Sequence, residues 1–261
     1  MTYKPGVVSL ADIAGKAVLV TGASTGIGAA LVRAYAEQRC RVGLHYNESA
    51  EAAEALAKEL RDGGAEVHLV RGDFMRSEDV SRVVEATAQH FGALDGLVNN
   101  AGGMLGRVPY AQITDEHYDR VMNLNGRSVI VACRTAIPWL KRSGGFIINT
   151  SSVAARNGAN LGAGLYGSAK SFVSNVTRGL AKELVGSGIR VNAVSPGLIA
   201  TPFHARYSTP EQMKASIGTI PMARAGVAED CVGAYLFLSS PTLSGYITGQ
   251  VLEVNGGQLM P

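Results

Sequence analysis

Seven short apolar runs recur along the chain, and nearly every one is followed by a stretch with helical spacing. The runs are 17–20 (AVLV), 41–46 (RVGLHY), 66–73 (EVHLVRGD), 93–100 (ALDGLVNN), 146–152 (FIINTSS), 189–197 (IRVNAVSPG) and 251–255 (VLEVN). Strands that are apolar at successive positions must be buried on both faces, which is the mark of a parallel sheet covered by helices. Helices are predicted over 29–38, 49–62, 77–91, 169–185 and 228–240, with a longer helical region over 114–142 interrupted at 123–126. Ser49 and Ser77 are placed as N-caps. The expected architecture is α/β, a doubly wound sheet of seven parallel strands with helices on both faces. With 261 residues, 46% hydrophobic and 17% charged, one large domain (1–261) can bury its own core. No linker and no fixed-period repeat interrupts it.

The first strand runs into VLVTGASTGIG (18–28), whose glycines are Gly22, Gly26 and Gly28. Such a loop turns tightly, lets a pyrophosphate approach the backbone, and opens a helix whose free N–H groups favour anions. Ser24, Thr25 and Ile27 fill the loop between these glycines. The same letters also read as G-x-S-x-G (Gly22, Ser24, Gly26), the nucleophile elbow of a serine hydrolase. That reading needs a later histidine, and His204, in a loop, is the one available in the last third of the chain.

A second signal lies in TSSVAARNGANLGAGLYGSAK (150–170). Ser152 ends a strand at the carboxyl edge of the sheet, where open α/β folds bind ligands. Tyr166 and Lys170 are four residues apart and share a helix face. The other eight of the 9 tyrosines have no lysine at that spacing. Exchanging a carbonyl for an alcohol needs an acid or base at the oxygen. A free phenol, with a pKa of about 10, is a poor base at neutral pH. A lysine ammonium about 5 Å away is worth about 3 kcal/mol at an effective dielectric near 20, which would lower that pKa by about 2. Ser152 would hold the substrate oxygen.

Together TGASTGIG, NNAG (99–102), YGSAK and SPGLIATP (195–202), in this order and at these separations, resemble the short-chain dehydrogenase/reductase family. The resemblance runs from about residue 12 to the end of the chain, which is similar to reductases of the 3-oxoacyl carrier-protein type. It implies a Rossmann fold and an oxidoreductase that moves a hydride between NAD(P)(H) and a carbonyl or secondary alcohol. It further implies that Asn125, favoured over its neighbour Asn123 by the spacing to Pro138, completes a catalytic set with Ser152, Tyr166 and Lys170 by holding a relay water. Lys170 would also bind the nicotinamide ribose. Asp73 and Phe74 would contact adenine, and Asn100, Ala101 and Gly102 would line the cofactor. Pro196, Gly197, Ile199 and Thr201 would close over the nicotinamide. A cofactor-binding sensor or scaffold on the same fold is the alternative, and the four filled catalytic positions argue against it.

The resemblance also makes 198–226 a substrate lid, with 103–113 and 153–164 as further walls. Arg107, Arg156, His204 and Arg206 are candidates to meet a polar or acidic small-molecule substrate. Lys141 and Arg142 are candidates to dock an acidic carrier. In the family it resembles, the helices matching 114–142 and 164–185, here rich in small residues, pair between subunits, so the resemblance implies a homotetramer. Cofactor choice falls to the end of the second strand, at Tyr46, Asn47 and Ser49. No Asp or Glu stands at Tyr46 to accept the ribose 2′-hydroxyl and repel a 2′-phosphate, so NADP is favoured over NAD.

Net charge is +3 and no basic run of five occurs, so no nucleic-acid partner is expected. Cys40, Cys133 and Cys231 are too scattered for a metal set or a disulfide scheme, which points to a cytoplasmic setting. No signal peptide, membrane span or metal site is expected.

Overall fold

The computed structural model describes residues 10–260. The opening residues of the segment read as free of a signal peptide fall outside it. Seven strands form one all-parallel sheet: β1 Ala17–Val20, β2 Arg41–Tyr46, β3 Val67–Arg71, β4 Gly96–Asn99, β5 Gly145–Thr150, β6 Ile189–Pro196 and β7 Val251–Val254. Their order is β3-β2-β1-β4-β5-β6-β7. The chain winds outward from β1 in one direction and from β4 in the other. Between those two strands the sheet has its switch point, where the loops at the carboxyl ends part to leave a crevice.

Helices α1 (Gly26–Glu37) and α2 (Ala50–Asp62) cover one face, and α3 (Ser77–Phe91) the other. On α2 the buried residues are Ala53, Leu56, Ala57 and Leu60, the i, i+3, i+4, i+7 stripe of an amphipathic helix. Ser49 occupies the N-cap position of α2, but its side chain makes no capping bond. Ser77 is the first residue of α3 rather than its cap, a position held by Arg76. The carboxylate of Asp79 instead reaches back to accept the Asp73 N–H at 2.9 Å. Gly92, at φ 68°, ends α3 in the left-handed conformation.

The long helical region resolves into α4 (Asp115–Met122), a π turn over Asn123–Arg127 and α5 (Ser128–Leu140). The expected interruption at 123–126 is therefore a wider turn, with Asn125 buried inside it. Next come the short α6 (Ala154–Asn157) and then α7 (Gly164–Leu184), which starts five residues before the expected 169 and so includes Tyr166. The 198–226 segment contains α8 (Pro202–Tyr207) and α9 (Pro210–Ile217). Helices α10 (Ala228–Ser239) and α11 (Pro241–Ser244) precede β7.

The sheet separates two apolar layers. Val18, Val20, Val42 and Leu44 point toward Leu31, Tyr35, Leu56, Tyr235 and Leu238. Leu19, Leu97, Ile147 and Val191 face Val83, Val84, Leu140, Val173 and Leu184. Each such aliphatic side chain, fully buried, contributes about 1.5–3 kcal/mol of transfer free energy. This rigid platform fixes where the loops at the carboxyl edge stand.

Candidate active site

A cleft of about 530 Å³ opens at the carboxyl edge, over the switch point. Most of the sequence-predicted residues line it. From the glycine loop come Gly22, Ser24, Thr25, Gly26 and Ile27, and from the end of β2 Asn47 and Ser49. Asp73 and Phe74 follow β3, and Asn100, Ala101 and Gly102 follow β4. Ser152, Tyr166, Lys170, Pro196, Gly197, Ile199 and Thr201 complete the set.

Three predicted residues lie outside the lining. Gly28 packs behind the loop, where an added Cβ would run into the Gly22 carbonyl, so this glycine serves helix–strand packing. Tyr46 ends β2 beside the cleft without entering it, while His45, before it, does line it. Strand residues alternate sides, and at this strand end the cleft lies on the side of His45. Asn125 is fully buried. Its amide accepts from Gly103 N–H at 3.1 Å and donates to Gly103 O at 2.8 Å and Val121 O at 2.9 Å. A Cβ on Gly102 would stand 2.8 Å from Asn125 Oδ1 and 3.2 Å from Lys170 Nζ, so only a glycine keeps these two groups adjacent.

The glycine loop is held from below. Asn100 Nδ2 donates to the carbonyls of Thr21 and Gly22, both at 3.0 Å. Thr21 Oγ1 accepts from the N–H groups of Asn100 and Ala101 at 2.9 and 3.0 Å. Asp73 Oδ1 accepts from Met75 N–H at 2.9 Å, a turn role alongside its place in the lining. At the start of α1, Thr25 provides no side-chain cap. That helix N-terminus therefore faces the cleft without an acceptor from the capping side chain, which suits a pyrophosphate.

At the other end of the cleft, Ser152 Oγ accepts from Ala154 N–H at 3.1 Å and hydrogen-bonds Tyr166. Lys170 is buried, donates from Nζ to Thr150 O at 2.8 Å, and stands 5.8 Å from the centre of the Tyr166 ring. Burial pushes the Tyr166 phenol up to about 12, opposed by the Ser152 bond. The lowering expected from Lys170 is therefore not realised in the free protein. Tyr166 is half-buried at the cleft, and that partial access to solvent softens the rise. Burial also brings Lys170 down to about 8, so its cation is itself partly desolvated and is aimed at the Thr150 carbonyl.

Of the candidate substrate contacts, Arg107 and Arg206 line the cleft. Arg107 is committed to protein: it donates to Tyr207 O at 2.8 Å, Leu161 O at 3.2 Å and Ser208 Oγ at 3.5 Å. Arg156 turns instead toward Glu253, 4.0 Å away. The side chain of His204 is outside the described part of the structure. Lys141 and Arg142 are displaced from the expected docking site. They follow α5 at the amino edge of the sheet, where Arg142 stacks on Trp139 at 4.0 Å. His45 and Glu48, neighbours of the predicted Tyr46 and Asn47 but not themselves predicted as site residues, line the cleft, and Thr21, which supports it from below, was missed by sequence reasoning. An inward-facing histidine at a strand end carries no local signal that sets it apart from an outward one.

The family model described as enoyl-(acyl carrier protein) reductase matches residues 22–258. The chain belongs to the short-chain dehydrogenase/reductase family. The glucose 1-dehydrogenase of Gluconobacter oxydans (strain 621H) is 39% identical over 249 residues, spanning 94% of this chain and 92% of its own. Among solved structures, the NADH-dependent reductase A1-R′ responsible for alginate metabolism, complexed with NAD, is 37% identical with a TM-score of 0.86, over 97% of this chain and 100% of that one. A short-chain dehydrogenase from Burkholderia cenocepacia J2315 in complex with NADP is 32% identical with a TM-score of 0.87, over 95% and 99%. This short-chain dehydrogenase/reductase is a nicotinamide-dependent oxidoreductase exchanging a hydride with a carbonyl or alcohol substrate. The hydrolase reading of Gly22, Ser24 and Gly26 and the sensor reading both give way to it. None of the described helices is long and apolar enough to cross a membrane.

Proposed function

We propose that Tyr166 exchanges the proton at the substrate oxygen, and that its contact with Ser152 carries this assignment. Ser152 Oγ accepts from Ala154 N–H and its hydroxyl also meets the Tyr166 phenol, so a substrate oxygen placed beside the two would be held by both hydroxyls. A bound nicotinamide cofactor supplies or takes the hydride. In reduction Tyr166 gives its proton to the carbonyl oxygen, and the Lys170 cation stabilises the phenolate left behind. Asn125 holds the π turn against Gly103 and so keeps the Gly102 backbone clear beside Lys170. In oxidation the same groups act in reverse. The test is Tyr166→Phe, with turnover and reduced-cofactor binding measured on one preparation. Full turnover in that variant sinks the assignment.

The glycine loop, Asn47, Ser49, Asp73, Phe74, Asn100 and Ala101 form the adenosine and pyrophosphate part of the site. Pro196, Gly197, Ile199 and Thr201 cover the nicotinamide part. The 198–226 segment, with α8 and α9, is the lid of one catalytic domain spanning the chain. Arg107 ties that lid to the 161 loop.

NADP(H) is the favoured cofactor. Asn47 is neutral, Ser49 leaves its hydroxyl uncommitted as a cap, and the Arg71 guanidinium stands beside them at 3.2 Å from the Asn47 carbonyl. Glu48, also in the lining, opposes a 2′-phosphate and leaves room for NAD. The ratio of kcat/KM for the two cofactors decides the point, and a strong preference for NAD overturns it. A small ketone, sugar or polyol is the substrate class, to be resolved by a substrate panel. Exposed Tyr118, Ile130 and Phe172 on α4, α5 and α7 support a homotetramer, which light scattering tests. A cytoplasmic location accords with three buried, unpaired cysteines.

A further inference from the structure

His45 is buried at 2% exposure where three strand ends meet, and the proton exchange described above does not use it. Its Nδ1 lies 3.0 Å from the Gly22 amide nitrogen and its Nε2 lies 3.0 Å from the Gly72 carbonyl oxygen. A backbone N–H can only donate and a carbonyl can only accept. The ring is therefore neutral, with its hydrogen on Nε2 donated to Gly72 and the lone pair of Nδ1 accepting from Gly22. Its own carbonyl accepts the Ala23 N–H at 2.7 Å. Its face stacks on Phe74 at 3.9 Å and 22°. One side chain thus fixes the height of the glycine loop, through Gly22, relative to the Phe74 wall across the same cleft.

We infer that His45 is a positioning residue for the nicotinamide cofactor, setting the glycine loop and the Phe74 wall at the separation the dinucleotide requires. This rests on the reading of the cleft as the cofactor site. Gly22, at φ 62°, holds its left-handed turn with its amide spoken for by Nδ1 rather than by ligand. Without an acceptor there, the amide is left unpaired in a buried place or the loop moves to find one. Either outcome weakens cofactor binding and leaves Tyr166, Ser152 and Lys170 in place at the far end of the cleft.

Three variants test this: His45→Leu, His45→Asn and His45→Gln. Asparagine presents an acceptor where Nδ1 stands. Glutamine reaches the Gly72 carbonyl but offers Gly22 nothing. Dissociation constants for NADH and NADPH are read by fluorescence titration, beside melting temperature and kcat at saturating cofactor. We expect His45→Leu and His45→Gln to weaken binding about tenfold or more, the loss of one buried hydrogen bond. His45→Asn should stay within about threefold of the parent, and kcat should change less than about threefold in all three, because the acid–base groups are untouched. If His45→Leu does not fold, the Asn and Gln variants still decide. Equal affinity of those two, or a collapse of kcat with unchanged cofactor affinity, overturns the proposal. A parent protein that binds neither cofactor refutes the reading of the cleft itself.

Discussion

Arg71 Nε donates to the carbonyl oxygen of Asn47 at 3.2 Å, across the pairing of β3 with β2. No arginine directly follows Tyr46 in the sequence. The parallel register sets Tyr46 opposite Arg71, so the neighbouring strand delivers a cation to the end of β2, where the proposed site would read the adenosine ribose. Arg71→Ala should raise KM for NADP about tenfold and leave KM for NAD within about twofold, since only the former carries a 2′-phosphate. Glu48→Gln should act in the opposite sense, improving NADP use a few-fold by removing a like charge. Steady-state kinetics with both cofactors checks the pair of variants. Equal losses with NAD and NADP in Arg71→Ala would count against the assignment.

Tyr166→Phe should reduce kcat by about 10² to 10⁴, the range of general acid–base contributions, while NADPH binding stays within about twofold. Ser152→Ala should lose a comparable amount, because the pair acts on one oxygen and such effects do not add. A double variant no worse than either single one would show that shared action.

The two directions of reaction should respond oppositely to pH. In the proposed mechanism reduction draws on protonated Tyr166, which burial keeps protonated up to about 12, so the phenol would set no limit at neutral pH. The Lys170 charge, present below about 8 and lost above it, should impose a fall in reduction rate on the alkaline side. Oxidation needs the phenolate and should rise with pH from neutrality. A pH series of kcat/KM in both directions tests this, and Lys170→Met should remove the fall near pH 8.

His45 should make the fold acid-sensitive. Burial lowers its pKa to about 4 from an ordinary 6.5, against the Gly72 hydrogen bond and, less, Asp79, which raise it, while Arg82 lowers it further. Between those values the unfolded chain holds a proton that the folded chain refuses, so stability is full above about 6.5 and falls as pH drops toward 4. The span corresponds to about 3 kcal/mol. Urea unfolding at pH 7 and pH 4.5 should show a smaller acid loss for His45→Asn than for the parent, because asparagine does not titrate.

Arg107→Ala should loosen the lid, because three donors to Tyr207, Leu161 and Ser208 disappear at once. The expected result is a rise of about tenfold in substrate KM with cofactor affinity unchanged. Limited proteolysis should then cut faster within 198–226.

The sequence determined the fold class and the chemistry. Seven continuous apolar runs leave a covered parallel sheet as their only burial, and the glycine loop and the Tyr166–Lys170 spacing are local patterns that survive any packing detail. Helix starts were less legible: Ser49 and Ser77 have the right side chains for caps, yet the bonds that formed were set by which backbone groups lay in reach, as with Asp79 and the Asp73 N–H. What only the tertiary structure decided was direction and neighbourhood. Whether His45 or Tyr46 faces the cleft depends on how the end of β2 is presented to the glycine loop. Whether Arg71 serves the ribose end depends on a strand pairing between residues 25 apart in the chain. Whether Tyr166 is acidified or made more basic depends on burial outweighing a cation that points to Thr150. Each is a balance between long-range contacts, and a local pattern contains no term for it.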